Sequence, residues 1–344
     1  MADKNLQELL FALCRAKGVS GREDSAAGVA AGFLSEYMPV KIDPLGSVVG
    51  TKGEGNVHIM LDAHIDEIGL VVTAVENGFL KVARCGGSDA RVLAAAEVTV
   101  WGKQPLFGVI TSTPPHLAGD GDSKKAKKID EIAVDIGFSQ EKAAELVSPG
   151  DRITFNGPQR TLINGVASPT VDDRAGVAVI LRCLEIIKDI PLNVKLSVLF
   201  SVQEETGGSG AIAASYGINA DEAIAVDVSF ASAPSVKKEK SGTMGKGVMI
   251  GIAPSLDYAM SGKLRDLAQS KGIAYQLEVM GGRTGTNGDD IQVSAGGCRT
   301  ALLSVPIRNM HTAIETVRTE DIESAAQLMA AYIIERSGEN AGHD

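Results

Sequence analysis

The sequence predicts an α/β protein: a mostly parallel sheet covered by helices, interrupted along the chain by an inserted β-barrel-like domain. Three observations predict it. Residues 167–344 alternate near-continuous apolar runs with helical patterns, as parallel strands buried on both faces do. Residues 69–166 carry short alternating runs set off by Gly, Pro and Asp, the texture of a small β-rich domain. An apolar strand pattern already stands at residues 57–64, so the α/β part is discontinuous and comprises 1–68 and 167–344.

Taken in order, Leu6, Leu9, Leu10 and Leu13 recur at helical spacing and predict an opening helix. VHIMLDAHIDEIGLVV (57–72) then runs as a strand into His64 and Asp66. Within the insert, GFLKVA, AEVTVWG, LFGVITS and DRITFNG read as strands. GDGDSKKAKK (119–128) reads as a solvated loop and SQEKAAELV as a short helix capped by Ser139. After VDDRAG (171–176), VAVILRCLEIIKD is a helix, VKLSVLFSVQEE a buried strand and EAIAVDVS another. MSGKLRDLAQSKG is a helix closed by Gly272; YQLEVM and TALLSVPIRNMH supply strands, and ESAAQLMAAYIIERSG a last helix.

An excess of 43 acidic over 33 basic residues, a formal charge of −10, argues against a nucleic-acid surface or an anionic membrane as partner. No run approaches the roughly 20 apolar residues that span a bilayer, and the opening helix lacks a signal peptide's apolar centre. Cys14, Cys85, Cys183 and Cys298 form no CxxC pair, so buried free thiols and a cytoplasmic location are expected.

In open α/β sheets, ligands gather outside the carboxyl ends of the strands. The predicted strands end at His64 and Asp66, at Glu204 and Glu205, at Asp227 and at His311, while Asp172 and Asp173 stand at a helix start. Singly, each has an ordinary structural explanation, such as a helix cap or a solvated turn. Together, two histidines and several carboxylates on one rim form a metal-ligand inventory suited to zinc, cobalt or manganese. Asp227 carries extra weight, because a carboxylate flanked by Val226 and Val228 needs a partner.

AHIDEIG, VDDRAG, VQEETGGSGA, AVDVS and MHTAIE, in this order, resemble the M42 family of metallo-aminopeptidases. The resemblance covers nearly the whole chain. It implies two divalent metal ions, Zn2+ or Co2+, with His64 and Asp227 on one, Glu205 and His311 on the other, and Asp172 bridging. It implies that Asp66 orients His64 through the other ring nitrogen, that Asp173 only shapes the turn, and that Glu204 is the general base for a water held between the metals. The implied activity is release of N-terminal residues from peptides. The implied role of residues 69–166 is dimerisation, within a homo-oligomer that is dimer-based and dodecameric. A deacylase or carboxypeptidase on the same metals, or an endoglucanase using paired acids, are the competing readings. The preferred N-terminal residue stays open: Arg283, Arg299 and Arg308 are candidate cations for an acid-selective pocket, and GGRTGTNGDD (281–290) reads either as an active-site loop or as a plain glycine turn. His58 and Asp62 read as structural, His116 as a packing residue and His343 as part of a polar tail.

Overall fold

The computed structural model describes residues 2–117, 127–234 and 236–340. Helices α1 (Ala2–Arg15) and α2 (Asp24–Leu34) lead into the hairpin β1 (Val40–Ile42) and β2 (Val48–Lys52), then β3 (His58–His64). Six strands follow: β4 (Gly69–Glu76), β5 (Phe79–Cys85), β6 (Glu97–Trp101), β7 (Pro105–Ile110), β8 (Ala133–Asp135) and β9 (Arg152–Phe155). They close into a barrel in the order β4-β5-β8-β7-β6-β9. Between β8 and β9 lies α3 (Gln140–Leu146), whose N-terminus Ser139 caps by accepting from the Lys142 N–H. Most of the expected loop at 119–128, and His343, lie outside the described residues.

The chain then re-enters the large sheet through β10 (Arg160–Leu162) and β11 (Gly165–Ser168), so the barrel itself ends at Phe155. Next come α4 (Val171–Ile187), β12 (Lys195–Ser201), α5 (Ser209–Ile218), β13 (Glu222–Phe230) and β14 (Val248–Ile252). The remainder is α6 (Tyr258–Lys271), β15 (Tyr275–Val279), α7 (Gly288–Ile291), β16 (Arg299–Arg308), β17 (Glu315–Val317) and α8 (Thr319–Asn340). The sheet runs β1-β2-β12-β3-β13-β16-β17-β11-β10, with β14 and β15 branching from β16. Parallel pairing holds at the centre, β12-β3-β13-β16, and between β14 and β15. The flanks are antiparallel because short hairpins such as β1-β2 and β10-β11 cannot make the crossover that parallel strands need.

Alternation along the central strands sorts side chains onto two faces. Ile59, Leu61 and Ala63 of β3 join Ile224, Val226 and Val228 of β13 in a core covered by α1, α2, α4, α6 and α8. On the other face Met60, Ala223, Ala225 and Leu302 pack beneath α5 and α7. That second face carries a polar row further along the strands: Asp62 and His64 on β3, Ser201 on β12, Asp227 and Ser229 on β13, Ser304 on β16. Registers of His64 with Ser201 and of Asp227 with Ser304 set these residues side by side at the carboxyl ends. The barrel has its own apolar core, including Leu70, Val98, Val134 and Ile153.

Candidate metal centre

β12 stops at Ser201, four residues before the end of the predicted strand. Gln203 takes a left-handed φ of 60°, and Glu204 and Glu205 sit on the turn that follows. α4 likewise begins irregularly: Asp172 and Asp173 have non-helical dihedrals, and Asp172 is extended at φ −75°, ψ 113°. His311 lies past the end of β16 with φ 60°. The acids and histidines therefore stand on turns that leave the sheet.

These turns bring the groups together. Asp172 is the centre: its Oδ1 is 3.1 Å from His64 Nε2 and its Oδ2 is 3.3 Å from His311 Nε2. His311 Nε2 also lies 3.3 Å from Glu205 Oε1. On the other side His64 Nε2 is 3.9 Å from Glu204 Oε2 and 4.0 Å from Asp227 Oδ1. Potential ligand atoms of His64, Asp172 and Glu205 lie within 4.8 Å of one another, as do those of His64, Asp173 and Asp227. Asp173 accepts the Gly176 N–H at 3.0 Å, which shapes the turn as expected, yet its buried Oδ2 has no partner and joins the second cluster.

Asp66 lies 3.3 Å from His64 Nδ1 in an ion-pair contact rather than an aligned hydrogen bond. Its aligned bonds come from elsewhere: the Ser20 hydroxyl at 2.5 Å and the backbone N–H groups of Glu204 at 3.0 Å and Glu205 at 3.1 Å. Glu315, to which the sequence alone assigns no role, accepts from the backbone N–H of both Asp172 (2.9 Å) and His311 (2.8 Å). Its signal was present as the last residue of MHTAIE. Asn287 donates to Asp62 at 3.0 Å and to Ser201 at 2.8 Å, tying the 281–290 segment to the sheet. The barrel also reaches the site. A Cβ on Gly87 would run into the His311 ring, and one on Gly86 would stand 3.2 Å from Glu205.

Charge is unbalanced here. Among the described residues, Asp172, Glu204, Glu205 and Asp227 have only histidines as cationic partners within 4.0 Å. Burial pushes Glu204 up to about 7, with the neighbouring carboxylates adding to the shift against the pull of His64. Burial and then Asp173 raise Asp227 well above its ordinary value. Burial acts the same way on Asp172, but hydrogen bonds with His311 and His64 outweigh it and hold the carboxyl below its ordinary range. Hydrogen bonds to Asp172 and Glu205 raise His311 to about 11. The acids thus draw protons onto the imidazoles, and a cation set would take the place of those protons. The donor set fits divalent metal.

A cavity of about 920 Å³ opens over these groups, bounded also by Arg283, Thr284 and Thr286, so the 281–290 segment lines the site. Of the three arginines considered for an acid-selective pocket, only Arg283 is there. Arg299 pairs with Glu222 at the opposite ends of the strands, and Arg308 donates to the Ser232 carbonyl. His58 meets Ser197 at 2.8 Å, a structural contact as read; His116, expected to pack, is exposed.

The family model described as M42 glutamyl aminopeptidase matches residues 46–328. The chain belongs to the M42 peptidase family. It is 30% identical to the lysyl aminopeptidase of Pyrococcus furiosus, over 95% of this chain and 96% of that one. Its fold matches the TET aminopeptidase of a marine-sediment Thaumarchaeota archaeon with a TM-score of 0.93, at 27% identity and 99% coverage of both chains. It also matches the TET1 peptidase of Pyrococcus horikoshii with a TM-score of 0.85, at 31% identity, covering 96% of this chain and 99% of that one. As an M42 member the protein is an aminopeptidase, a hydrolase of peptide bonds. Among the described residues no helix is long and apolar enough to cross a membrane.

Proposed function

We propose that this M42 peptidase is a cytoplasmic dinuclear-metal aminopeptidase in which His64 and Asp227 hold one ion, Glu205 and His311 the other, and Asp172 both. The observation that carries this reading is the placing of Asp172, whose two oxygens each face a different histidine. Zinc or cobalt suits such imidazole and carboxylate donors. The ions, when bound, would polarise the scissile carbonyl and acidify water. Glu204 is the base: its partly exposed carboxyl, beside His64, takes a proton from the attacking water and returns it to the leaving amine. Asp66 positions both glutamates by holding their N–H groups. Four free cysteines are in keeping with a reducing compartment.

The Glu204 and Glu205 roles separate experimentally. Glu204→Gln should keep its full metal content while turnover falls by roughly 10²–10⁴-fold, the range for general acid–base catalysis. Glu205→Gln should lose metal, and excess zinc or cobalt should restore part of its activity. Chelation should abolish hydrolysis in the unaltered protein. Metal content by mass spectrometry beside turnover checks all three; loss of metal from Glu204→Gln with retention in Glu205→Gln would reverse the assignment. The names of relatives leave the substrate open, since the family is described as glutamyl and the Pyrococcus furiosus relative as lysyl.

A further inference from the structure

The cavity is also lined by a carboxylate with no part in the proposed metal chemistry. Glu278, on β15, reaches across β14 and β16 so that its oxygens accept from the Ser229 hydroxyl and, at 2.7 Å, from the Ser304 hydroxyl. Two serines occupy only part of a carboxylate, which has about four lone-pair positions. Among the described residues no Lys, Arg or His nitrogen lies within 4.0 Å of it, whereas the cavity's Arg283 is engaged by Asp289 and Asp290.

Its location defines what could reach it. Ser229 stands two residues beyond Asp227 on the same face of β13, about 6.5 Å along the strand. A substrate whose N-terminal residue lies over the proposed metal ligands would therefore present its side chain to Glu278 at the distance spanned by a four-carbon stem. Met249, Met280 and Leu302 also line the cavity and offer apolar surface to methylenes. The cavity's cations, Lys238, Lys240 and Arg283, are at the exposed rim, where solvent and salt screen them. Glu278 is partly buried, where a lower effective dielectric strengthens its attraction for a cation.

We propose that Glu278 is a specificity-determining residue that selects peptides beginning with lysine or arginine, a conclusion that rests on the aminopeptidase reading. The ammonium or guanidinium completes the carboxylate's unused hydrogen-bonding positions while the stem packs on that apolar surface. Hydrolysis of the p-nitroanilides of lysine, arginine, leucine and glutamate by the metal-loaded protein tests it. The lysine and arginine substrates should exceed leucine in kcat/KM by at least about 10-fold, with glutamate the poorest, since a charged hydrogen bond carries roughly that much discrimination. In Glu278→Gln, which preserves shape and can still bond both serines, the lysine-to-leucine ratio should fall by about 10-fold or more. Calorimetry should show L-lysine binding to the unaltered protein more tightly than L-glutamate, and that difference should shrink in the variant. Preference for glutamate, or an unchanged ratio in Glu278→Gln, would overturn the role of Glu278 and leave the peptidase reading intact. Failure to cleave any of the four substrates would instead overturn the aminopeptidase reading, and this inference with it.

Discussion

On Asp66 four groups converge: the Ser20 hydroxyl, the N–H groups of Glu204 and Glu205, and the Nδ1 edge of His64. A fully buried carboxylate with this many partners stays ionised despite the cost of burial, and it lies below its ordinary value. Its hydrogen bonds set the turn that aims two glutamates at one site. Asp66→Ala should therefore leave two partly buried N–H groups without an acceptor, at up to about 1–3 kcal/mol each. Metal affinity should also fall by about 10–100-fold, as happens when the supports of ligating groups are removed. Thermal melts and metal titration read the two effects separately, and a variant with unaltered melting and metal affinity would contradict the positioning role.

Among the elements, the barrel carries an expectation of its own. Phe79, Phe107 and Phe138 of this domain and Leu117 beside it leave large apolar side chains exposed. The Pyrococcus horikoshii TET1 peptidase is described as assembling into a tetrahedron or a large octahedral shell, and a homo-oligomer built through this barrel is the expectation to test for the present chain. Light scattering should return a mass many times 35.8 kDa; a monomer at every concentration would contradict it. The barrel and central strands were legible in the sequence for distinct reasons. β6 alternates as half-buried strands do, whereas β3 and β13 are buried along nearly their whole length because helices cover both faces. The strand ends were less legible: Glu204 and His311 extend predicted strands in pattern, but turns with positive φ carry them off the sheet. Which distant residues a side chain meets left no local signal, even where the residue itself stands in a motif, as Glu315 does in MHTAIE. Glu315 under Asp172 and His311, and Glu222 held by Tyr332, Arg299 and Arg336, are contacts between segments far apart in the chain. The latter explains why Arg299, plausible as a pocket residue by proximity in sequence, lies at the wrong end of the sheet.

For the molecule as a whole, the proposed ligands come from five separated places: the end of β3, the entry to α4, the turn after β12, β13 and the segment after β16. Drawing them together requires the central strands in register and both helical layers in place. No part of the chain can offer that donor set by itself. An ion bound there acts as a staple across the tertiary structure, and mass action makes it a partner in the folding equilibrium. At 100 times its dissociation constant, each ion would add about 2.7 kcal/mol to the stability of the native chain. For a protein of this length that corresponds to a rise in melting temperature on the order of 5 °C per ion. The rise should appear equally in Glu204→Gln, which keeps the donors, and should be much smaller in Glu205→Gln. Calorimetric melts across a zinc or cobalt titration measure it without any turnover, and identical melting with and without chelator would sink the idea. Metal supply would then govern how long the chain survives unfolding and proteolysis as well as how fast it cuts, so that starvation for the ion depletes the enzyme itself.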